Sequence, residues 1–528
     1  MSGDVVMRKA LLTAASILGL LATGAEAQTL RIAVGGAFTS MDPHYHTLTP
    51  NNAMNKHVFD RLVDTDENFR LRPGLAESWT AVNETTWEFK LRQGVTWHDG
   101  TPFTAEDVVA TFARVPQVRN SPGSFVIYTR SVQRLEVVDD HTIRMHTAAP
   151  YPTLPNLMTG LAIISRGLPA AVDTAEFNSG RAAIGTGPYR LVSYSPGSQA
   201  IFARNPAFWG GAQPWERVDY RVIANDGSRI AALRAGDVDV IDAVPTRDVD
   251  ALKTTQGLVI ASQPALRNIF LNVDQSRDDA PGVTGPNGEK LAHSPLRDNR
   301  VREALSIAIN RPAIVRQVMS GYATPSGQFL AAGVMGHDPQ TTVPVFDAAR
   351  AQALLAEAGY PQGFRVVLAG PNNRYVNDEQ ILQAVAQMWS RIGVRVDLQA
   401  MPSNVYFSRS ARNEFPIGLS GWGTGTGEPD HPMVALIATQ SAATGRGTSN
   451  RSLYSSAAFD ALLDKALVTI DPPAREELYR QATRVAMADH AIIPLHHQVN
   501  IWASRNTVRI IARNDEETYA MSMFPVAK

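Results

Sequence analysis

The chain has 528 residues, of which 44% are hydrophobic and 19% charged, and its formal net charge is −1. This length predicts two or three domains with a large buried core. The near-neutral charge gives no electrostatic case for binding nucleic acid or an anionic membrane surface. The chain contains no cysteine, which excludes disulfides, thiolate nucleophiles and cysteine-ligated zinc.

The first 27 residues have the pattern of an export signal. Two basic residues precede the apolar run 10–24, and a small-x-small cleavage pattern follows that run. We therefore expect the mature chain to begin at Gln28, with Met1 and Met7 both open as the start of translation. A retained N-terminal anchor is the alternative. Because no cysteine is present to carry a lipid at the cleavage site, we expect an unanchored protein of the periplasm.

The first predicted elements surround a histidine next to an aspartate. Residues 87–91 alternate apolar and polar side chains, which predicts a half-buried strand. Apolar residues at helical spacing in 108–112 predict a helix, with Thr104 as its N-cap. Between them, His98 and Asp99 fall in a turn that contains glycine and proline. The pair would suit a catalytic dyad or a metal site, but its place in a turn favours a structural role.

Helices and strands continue to intermingle along the chain. A helical stripe begins at 301 and runs towards Gly321, and a second covers 381–392 ahead of an alternating strand at 394–398. Asp347 is placed to cap another helix that stops at Gly359. This alternation predicts an α/β fold. No Pro/Gly/Ser-rich linker marks a boundary, so we expect interleaved domains.

Enzyme motifs are weak or missing. The sequence has neither a G-x-S-x-G elbow nor a Walker-type Gly-Lys-Ser/Thr. The glycine-rich run 423–427 lacks dinucleotide spacing and is predicted to be a flexible loop. The histidine pairs His44/His46 and His496/His497 lack the spacing of a zinc protease site, and a metal-ligand role for one of them stays an alternative.

Three consecutive segments carry a resemblance to a known family. They are LRPGLAESW (71–79), WEFKLRQG (87–94) and WHDGTPFTAEDV (97–108), and they resemble the signature block of the family 5 extracellular solute-binding proteins of bacterial ABC importers. This is the dipeptide-, oligopeptide- and nickel-binding group. Further matches follow in the family's order: GTGPY (185–189), RNPAFW (204–209), LRAGDVD (233–239), NIFLN (268–272), VREALSIAIN (301–310) and LLAEAGY (354–360).

The resemblance implies a two-lobed periplasmic binding protein fold with an extra domain on the first lobe. The implied boundaries are 1–27 for the signal peptide; 28–63, 187–265 and 498–528 for the first lobe; 64–186 for the extra domain; and 266–497 for the second lobe. In the family, the segment of His98 and Asp99 lies in the extra domain, away from the ligand.

The function that the resemblance implies is capture of a solute by lobe closure, followed by delivery to a membrane permease with ATPase subunits. We expect a monomer that binds a small, peptide-like solute, performs no catalysis and needs no cofactor or metal. A nickel- or metal-chelate-binding protein of the same family is the first alternative. An exported hydrolase is the more distant one.

The expected ligand contacts come from segments that match cleft segments of the family. The segment 41–46 follows the first strand, the segment 372–375 offers an arginine that can fork onto a carboxylate, and the loop 421–430 offers a tryptophan face. The predicted contact residues are Tyr45, His46, Arg374, Tyr375, Trp422, Thr424 and Asp430.

One family residue is missing from this loop. Dipeptide-binding members carry an aspartate there that holds the peptide ammonium, and the aligned position in this chain is Gly425. Glu428 and Asp430 are candidate substitutes, although both also fit a structural acidic-Pro-Asp pattern. The substitution argues against a strict dipeptide carrier. It leaves longer peptides, peptide derivatives, opines, sugars and metal chelates open.

Overall fold

The computed structural model describes residues 28–424, 427–441 and 444–526. The predicted export signal and Gly425 lie outside the described residues. In these ranges the strands are β1 Thr29–Val34, β2 Val63–Thr65, β3 Leu71–Pro73, β4 Ala76–Asn83, β5 Thr86–Leu91, β6 Val132–Asp139, β7 Thr142–Thr147, β8 Tyr189–Ser195, β9 Gln199–Arg204, β10 Arg217–Val222, β11 Val240–Ile241, β12 Leu258–Val273, β13 Val283–Thr284, β14 Ala323–Pro325, β15 Arg365–Pro371, β16 Arg395–Met401, β17 Ile417–Trp422, β18 Ile493–Arg505, β19 Val508–Ile510 and β20 Met523–Pro525.

The α-helices of the same ranges intermingle with the strands, as the sequence predicts. They are α1 Thr49–Asn55, α2 Ala105–Arg114, α3 Val126–Thr129, α4 Leu154–Leu157, α5 Thr174–Asn178, α6 Asp226–Ala235, α7 Val249–Lys253, α8 Asn299–Ile307, α9 Arg311–Ala313, α10 Ala348–Glu357, α11 Asp378–Ser390, α12 Ser403–Ala411, α13 Asp430–Pro432, α14 Ala457–Val468 and α15 Pro472–Ala488. No helix of the described residues has the length and apolar character needed to cross a membrane.

One long sheet runs through both lobes. Its strand order is β13-β15-β17-β12-β18-β11-β1-β10-β9-β8, with β14 attached to β18 and β16 to β15. The long strands β12 and β18 pair antiparallel at its centre, and their register shifts between Pro264 and Asn268. On one side of this shift β12 packs with α7 and its partner β18 pairs with β11, and on the other side β12 pairs with β17. The two strands therefore cross from one lobe to the other.

Each lobe has its own apolar core. The first lobe, around β1 and β8–β10, buries a cluster that includes Leu30, Ile32, Phe202, Tyr220 and Met523. The second lobe, around β15–β17, buries a cluster that includes Ile269, Leu271, Leu368, Trp389 and Leu495. A second cluster in this lobe includes Phe270, Phe329, Met433, Phe459 and Tyr479. Separate cores joined by two crossing strands are the architecture in which lobes move relative to each other.

A separate four-stranded sheet, β4-β5-β7-β6, packs with α2 and forms the extra domain. Thr104 occupies the predicted N-cap position of α2, and its N–H donates to the Asp107 carboxylate at 2.8 Å. In the preceding turn, Nε2 of His98 lies 3.0 Å from the carbonyl oxygen of Gly187. The Asp99 carboxylate accepts from the backbone and hydroxyl of Thr101 at 2.9 and 2.7 Å. Both side chains therefore form hydrogen bonds that hold the turn in place, which is the structural role that the sequence indicates.

The helical stripe predicted from 301 towards Gly321 is not one helix. The structure ends α8 at Ile307, starts α9 at Arg311 and continues with a π-helical turn to Val318. The interruption arises because the Asn310 side chain caps the next helix, accepting the N–H of Ala313 at 2.9 Å. A local capping residue thus overrides a continuous apolar pattern.

Candidate ligand-binding site

A cavity of about 500 Å³ lies between the lobes, and we call it the interlobe cavity. Its walls come from α1 of the first lobe, from the extra domain with the β2–β3 hairpin, and from the crossing strand β12, the second lobe and the C-terminal segment. The lining residues are Thr49, Asn52, Lys56, Arg61, Thr65, Phe69, Tyr128, Thr159, Gly160, Leu266, Arg267, Arg374, Tyr375, Phe407, Ser410, Ser420, Gly421, Trp422, Gly423, Thr424, His431, Leu436, Ser449, Arg451, Asn514, Asp515, Glu516 and Glu517. Four of the predicted contact residues are among them.

Arg374 and Tyr375 lie in the loop between β15 and α11. The Asp378 carboxylate accepts the N–H groups of both residues, at 2.9 and 3.0 Å, and so fixes the loop at the start of α11. The Tyr375 hydroxyl donates to the carbonyl oxygen of Gly421 at 3.3 Å. The exposed Arg374 guanidinium lies 5.2 Å from the centre of the Tyr375 ring. The arginine is therefore held at the cavity while its donors remain available.

Trp422 and Thr424 lie at the end of β17 and just beyond it. The Trp422 ring leans against His431, with 5.4 Å between ring centres. Gly421 allows Ile269 and Tyr375 to approach β17 closely, because a Cβ there would lie 2.6 Å from the Ile269 side chain and 2.7 Å from the Tyr375 ring. Thr424 is buried, and its hydroxyl has no hydrogen-bond partner among the described residues. Since buried hydroxyls are normally satisfied, this one is a candidate ligand contact.

Tyr45 and His46 are not among the lining residues. Their segment is held against the extra domain, because Asp42 forms a buried ion pair with Arg114, at 2.6 Å for the shorter contact. The Ser121 hydroxyl donates to the Tyr45 carbonyl oxygen at 2.6 Å. Tyr45 and His46 therefore lie outside the lining of the interlobe cavity, and their contact with a solute stays a prediction.

The acidic residues of the 421–430 loop also lie outside the cavity lining. The Glu428 carboxylate receives two hydrogen bonds from Arg475, at 3.1 and 2.9 Å. Asp430 is buried and accepts from the Thr153 hydroxyl at 3.0 Å, which joins the second lobe to the extra domain. The structure thus gives Glu428 and Asp430 contacts within the protein, where the sequence suggested a ligand ammonium.

Several charged lining residues were missed by sequence reasoning. Arg267 forms a bidentate pair with Glu516, at 2.8 and 3.0 Å, and Lys56 pairs with Glu517. Arg61 and Arg451 also line the cavity. No single-sequence signal marks these residues, because they come from distant parts of the chain. The acidic run 515–517 is the one local sequence pattern that could have pointed to charge near the C-terminus.

Metal-binding geometry is absent from the described ranges, which contain no group of three or more His, Asp or Glu side chains able to hold an ion. His44 is buried, with Nε2 at 2.8 Å from the carbonyl oxygen of Ala162. His496 and His497 are buried on β18. None of the three is a cavity-lining residue.

A family model described as "Bacterial extracellular solute-binding proteins, family 5 Middle" matches residues 70–443, which is more than half of the chain. The chain belongs to this family. The glutathione-binding protein GsiB of Shigella dysenteriae serotype 1 (strain Sd197) is 28% identical over 505 residues, covering 93% of this chain and 93% of that protein.

Solved structures share the fold. HbpA2 from Haemophilus parasuis matches with a TM-score of 0.81 at 24% identity, over 94% of this chain and 100% of that one. DppA from Helicobacter pylori, in complex with the peptide STSA, matches with a TM-score of 0.75 at 22% identity, over 94% of this chain and 98% of that one. These comparisons confirm the predicted family and the two-lobed α/β fold. They also confirm the predicted role, that of a solute-binding protein of an ABC importer and not of an enzyme.

Proposed function

We propose that this protein is exported to the periplasm, captures one peptide-like solute in the interlobe cavity and delivers it to an ABC permease with ATPase subunits. The supporting observation is the cavity itself, whose walls come from both lobes and from β12. A solute bound there touches both lobes at once. It therefore favours the arrangement of lobes that encloses it, in proportion to its better affinity for that arrangement.

The first candidate solute is glutathione or a peptide derivative of similar size. A relative that is 28% identical over nearly the whole chain is a glutathione-binding protein. The cavity of about 500 Å³ is within the usual range for small-molecule sites. Its lining offers an arginine, a tyrosine, a tryptophan face and an unsatisfied hydroxyl from Arg374, Tyr375, Trp422 and Thr424.

Native mass spectrometry of freshly purified protein tests this proposal by weighing a co-purified solute. Thermal shift with glutathione, dipeptides, tripeptides and a nickel–histidine complex then gives the preference. A bound solute at a hundred times its Kd should add ~2.7 kcal/mol to the free energy of unfolding. Stabilisation by the nickel complex alone would contradict the proposal and favour the metal-chelate alternative.

Export and oligomeric state belong to the same proposal. The basic residues and apolar run before Gln28 support removal of 1–27, and the lack of cysteine supports an unanchored protein. N-terminal sequencing of periplasmic material should begin at Gln28, and a start at Met1 or Met7 would contradict cleavage. Light scattering should give the mass of one chain.

The division of the chain into lobes is also proposed. The register shift of β12 between Pro264 and Asn268 contains the boundary set at 265/266. The core of the extra domain draws on residues 62–163, within or next to the interval 64–186. The first-lobe core combines residues before 60 with 508 and beyond, which supports a lobe assembled from separate segments.

A further inference from the structure

Each carboxylate that lines the interlobe cavity already has a cationic partner from the protein. The C-terminal run 515–517 supplies all three carboxylates of the lining. Their partners are Arg513 for Asp515, Arg267 for Glu516 and Lys56 for Glu517. Although burial opposes it, the pKa of Glu516 is lowered by Arg267 and, more weakly, by Arg374. All three carboxylates are therefore engaged in ion pairs within the protein and are poorly placed to hold a ligand ammonium.

Three arginines of the lining, by contrast, form no ion pair with a carboxylate in the described part of the chain. Arg61 is 5% exposed, donates to backbone carbonyl oxygens such as that of Phe59 at 3.2 Å, and keeps a buried Nε without a partner. Arg451 is half-buried and donates to the carbonyl oxygen of Thr448 at 2.9 Å. Arg374 is exposed at the cavity and stacks on Tyr375.

The unpaired positive charge of these three arginines cannot be neutralised by residues 425–426 or 442–443, which lie outside the described ranges. Residues 425–426 and 442–443 are glycine, threonine and two alanines, and none of them carries a charge. The nearby Asp60 is directed elsewhere, since it accepts from Thr186 and Trp209 at 2.9 and 2.8 Å. Three arginines of the lining therefore have no carboxylate partner among the described residues.

We propose that the interlobe cavity selects solutes with two or more acidic groups and rejects cationic ones. This inference rests on the proposed function of the cavity as the solute site. A guanidinium held in a partly buried cavity without a counter-ion gains strong charge-assisted hydrogen bonds when a carboxylate arrives. A neutral dipeptide brings one carboxylate together with an ammonium group. Every carboxylate of the described lining is already in an ion pair, so none is available to bind that ammonium. The three arginines without a carboxylate partner thus strengthen the binding of acidic solutes and weaken the binding of basic ones.

Calorimetry with the mature protein and matched peptides tests the selection. The probes are Ala-Ala-Ala, Ala-Glu-Ala, Glu-Ala-Glu and Lys-Ala-Lys, together with glutarate and its uncharged diamide. We expect Glu-Ala-Glu to bind about tenfold or more tightly than Ala-Ala-Ala, with Lys-Ala-Lys weakest. The advantage of Glu-Ala-Glu should shrink as ionic strength rises, because salt screens the added charge pairs.

Variants assign the selection to the arginines. Arg374→Ala and Arg451→Ala should each weaken Glu-Ala-Glu by about tenfold and leave Ala-Ala-Ala less affected. Arg234→Ala is the matched control, because Arg234 is exposed at the end of α6 and does not line the cavity. Both test residues are accessible enough that their removal should not prevent folding.

The outcomes separate this inference from the proposed function. Ala-Ala-Ala binding as tightly as Glu-Ala-Glu would overturn the acidic selection and leave peptide capture intact. Glutarate binding while no peptide binds would support the acidic selection and contradict the peptide proposal. Failure of every acidic probe to bind, or equal losses in the Arg234 control, would overturn the inference.

Discussion

Phe69 adopts a left-handed backbone conformation, with φ 63°, at the tip of the β2–β3 hairpin. A bulky residue is rarely found there, because its Cβ approaches the backbone too closely. The turn is held by Asp66, whose carboxylate accepts the N–H groups of Asn68 and Arg70 at 2.9 and 2.8 Å. The Phe69 ring lines the interlobe cavity and packs on the second-lobe cluster. The strain thus accompanies a contact between the two sides of the cavity.

Phe69→Gly separates the strain from the contact. Glycine adopts the left-handed conformation without strain. Because the relief of this strain offsets part of the free energy lost with the packing of the ring, we expect the free energy of unfolding to change by no more than ~1–2 kcal/mol. The lost cavity wall should weaken solute binding by about tenfold at ~1.4 kcal/mol per decade. Calorimetry and denaturant unfolding measure the two effects. Asn120→Gly, at an exposed left-handed position, is the control. Unchanged affinity in Phe69→Gly would show that this ring does not contribute to the site.

Trp422 offers a test of the cavity that does not depend on charge. Its indole lines the cavity beside His431. Trp422→Ala should weaken acidic and neutral solutes alike, since ring contact and apolar burial do not require an ionised partner. Titration of Glu-Ala-Glu and Ala-Ala-Ala into this variant measures both effects. A loss confined to the acidic peptide would instead assign Trp422 to positioning the neighbouring arginines.

At the scale of elements, local signals predicted local structure well. Asp347 caps α10, accepting the N–H of Arg350 at 2.8 Å, because a helix start is decided by one side chain and the next turn. The position of the segment 41–46 in the fold depends on Arg114, far away in sequence, so a local pattern could not determine it. Arg61, Arg267 and Arg451 were missed for the same reason, whereas Arg374 was predicted. An arginine is recognisable as unpaired only when every neighbouring carboxylate is known.

The turn that contains His98 also provides a stability test. Trp97 is 2% exposed in the extra-domain core and meets Phe103 edge-on, with 6.2 Å between ring centres. Trp97→Ala should lower the free energy of unfolding by ~3–5 kcal/mol, because it empties a large buried volume. Solute affinity should hold, since the interlobe cavity does not include Trp97.

Denaturant unfolding and calorimetry measure the two properties of Trp97→Ala. The half-buried Trp79, replaced in the same way, is the control and should cost less. A Trp97 variant with normal stability but no solute binding would place this turn at the ligand.

At the scale of the whole molecule, four histidines lie buried in different parts of the fold. Burial lowers the pKa of His57 to about 4 and of His496 to about 3. Burial together with Arg114 lowers the pKa of His44 to about 4, and burial with His337 does the same for His497. The unfolded chain binds these protons near pH 6.5. All four rings therefore oppose folding once they become protonated.

These histidines predict loss of stability in mild acid. Each folded pKa lies below the unfolded value, so the stabilisation is complete above about pH 6.5 and is lost progressively as the pH falls towards about 4. Each histidine should contribute a slope of ~1.4 kcal/mol per pH unit within that window. Asp60 opposes them, because burial raises its pKa to about 6 and acidification then favours the folded state. His98 and His490, whose pKa burial also lowers to about 4, add to the loss of stability.

His496→Leu isolates one of these contributions. Both ring nitrogens of His496 are buried without a hydrogen-bond partner in the described ranges, so leucine removes a protonation site and leaves no broken hydrogen bond. Denaturant unfolding between about pH 7.5 and about pH 5 should show, below about pH 6.5, a pH slope shallower than wild type by ~1.4 kcal/mol per unit. His293→Gln, at a surface histidine paired with Asp278, should retain the wild-type slope. A wild-type protein equally stable at both ends of this range would show that the buried rings do not control acid unfolding. A shallower pH slope in the His293 variant alone would show that surface histidines, and not the buried ones, determine acid unfolding.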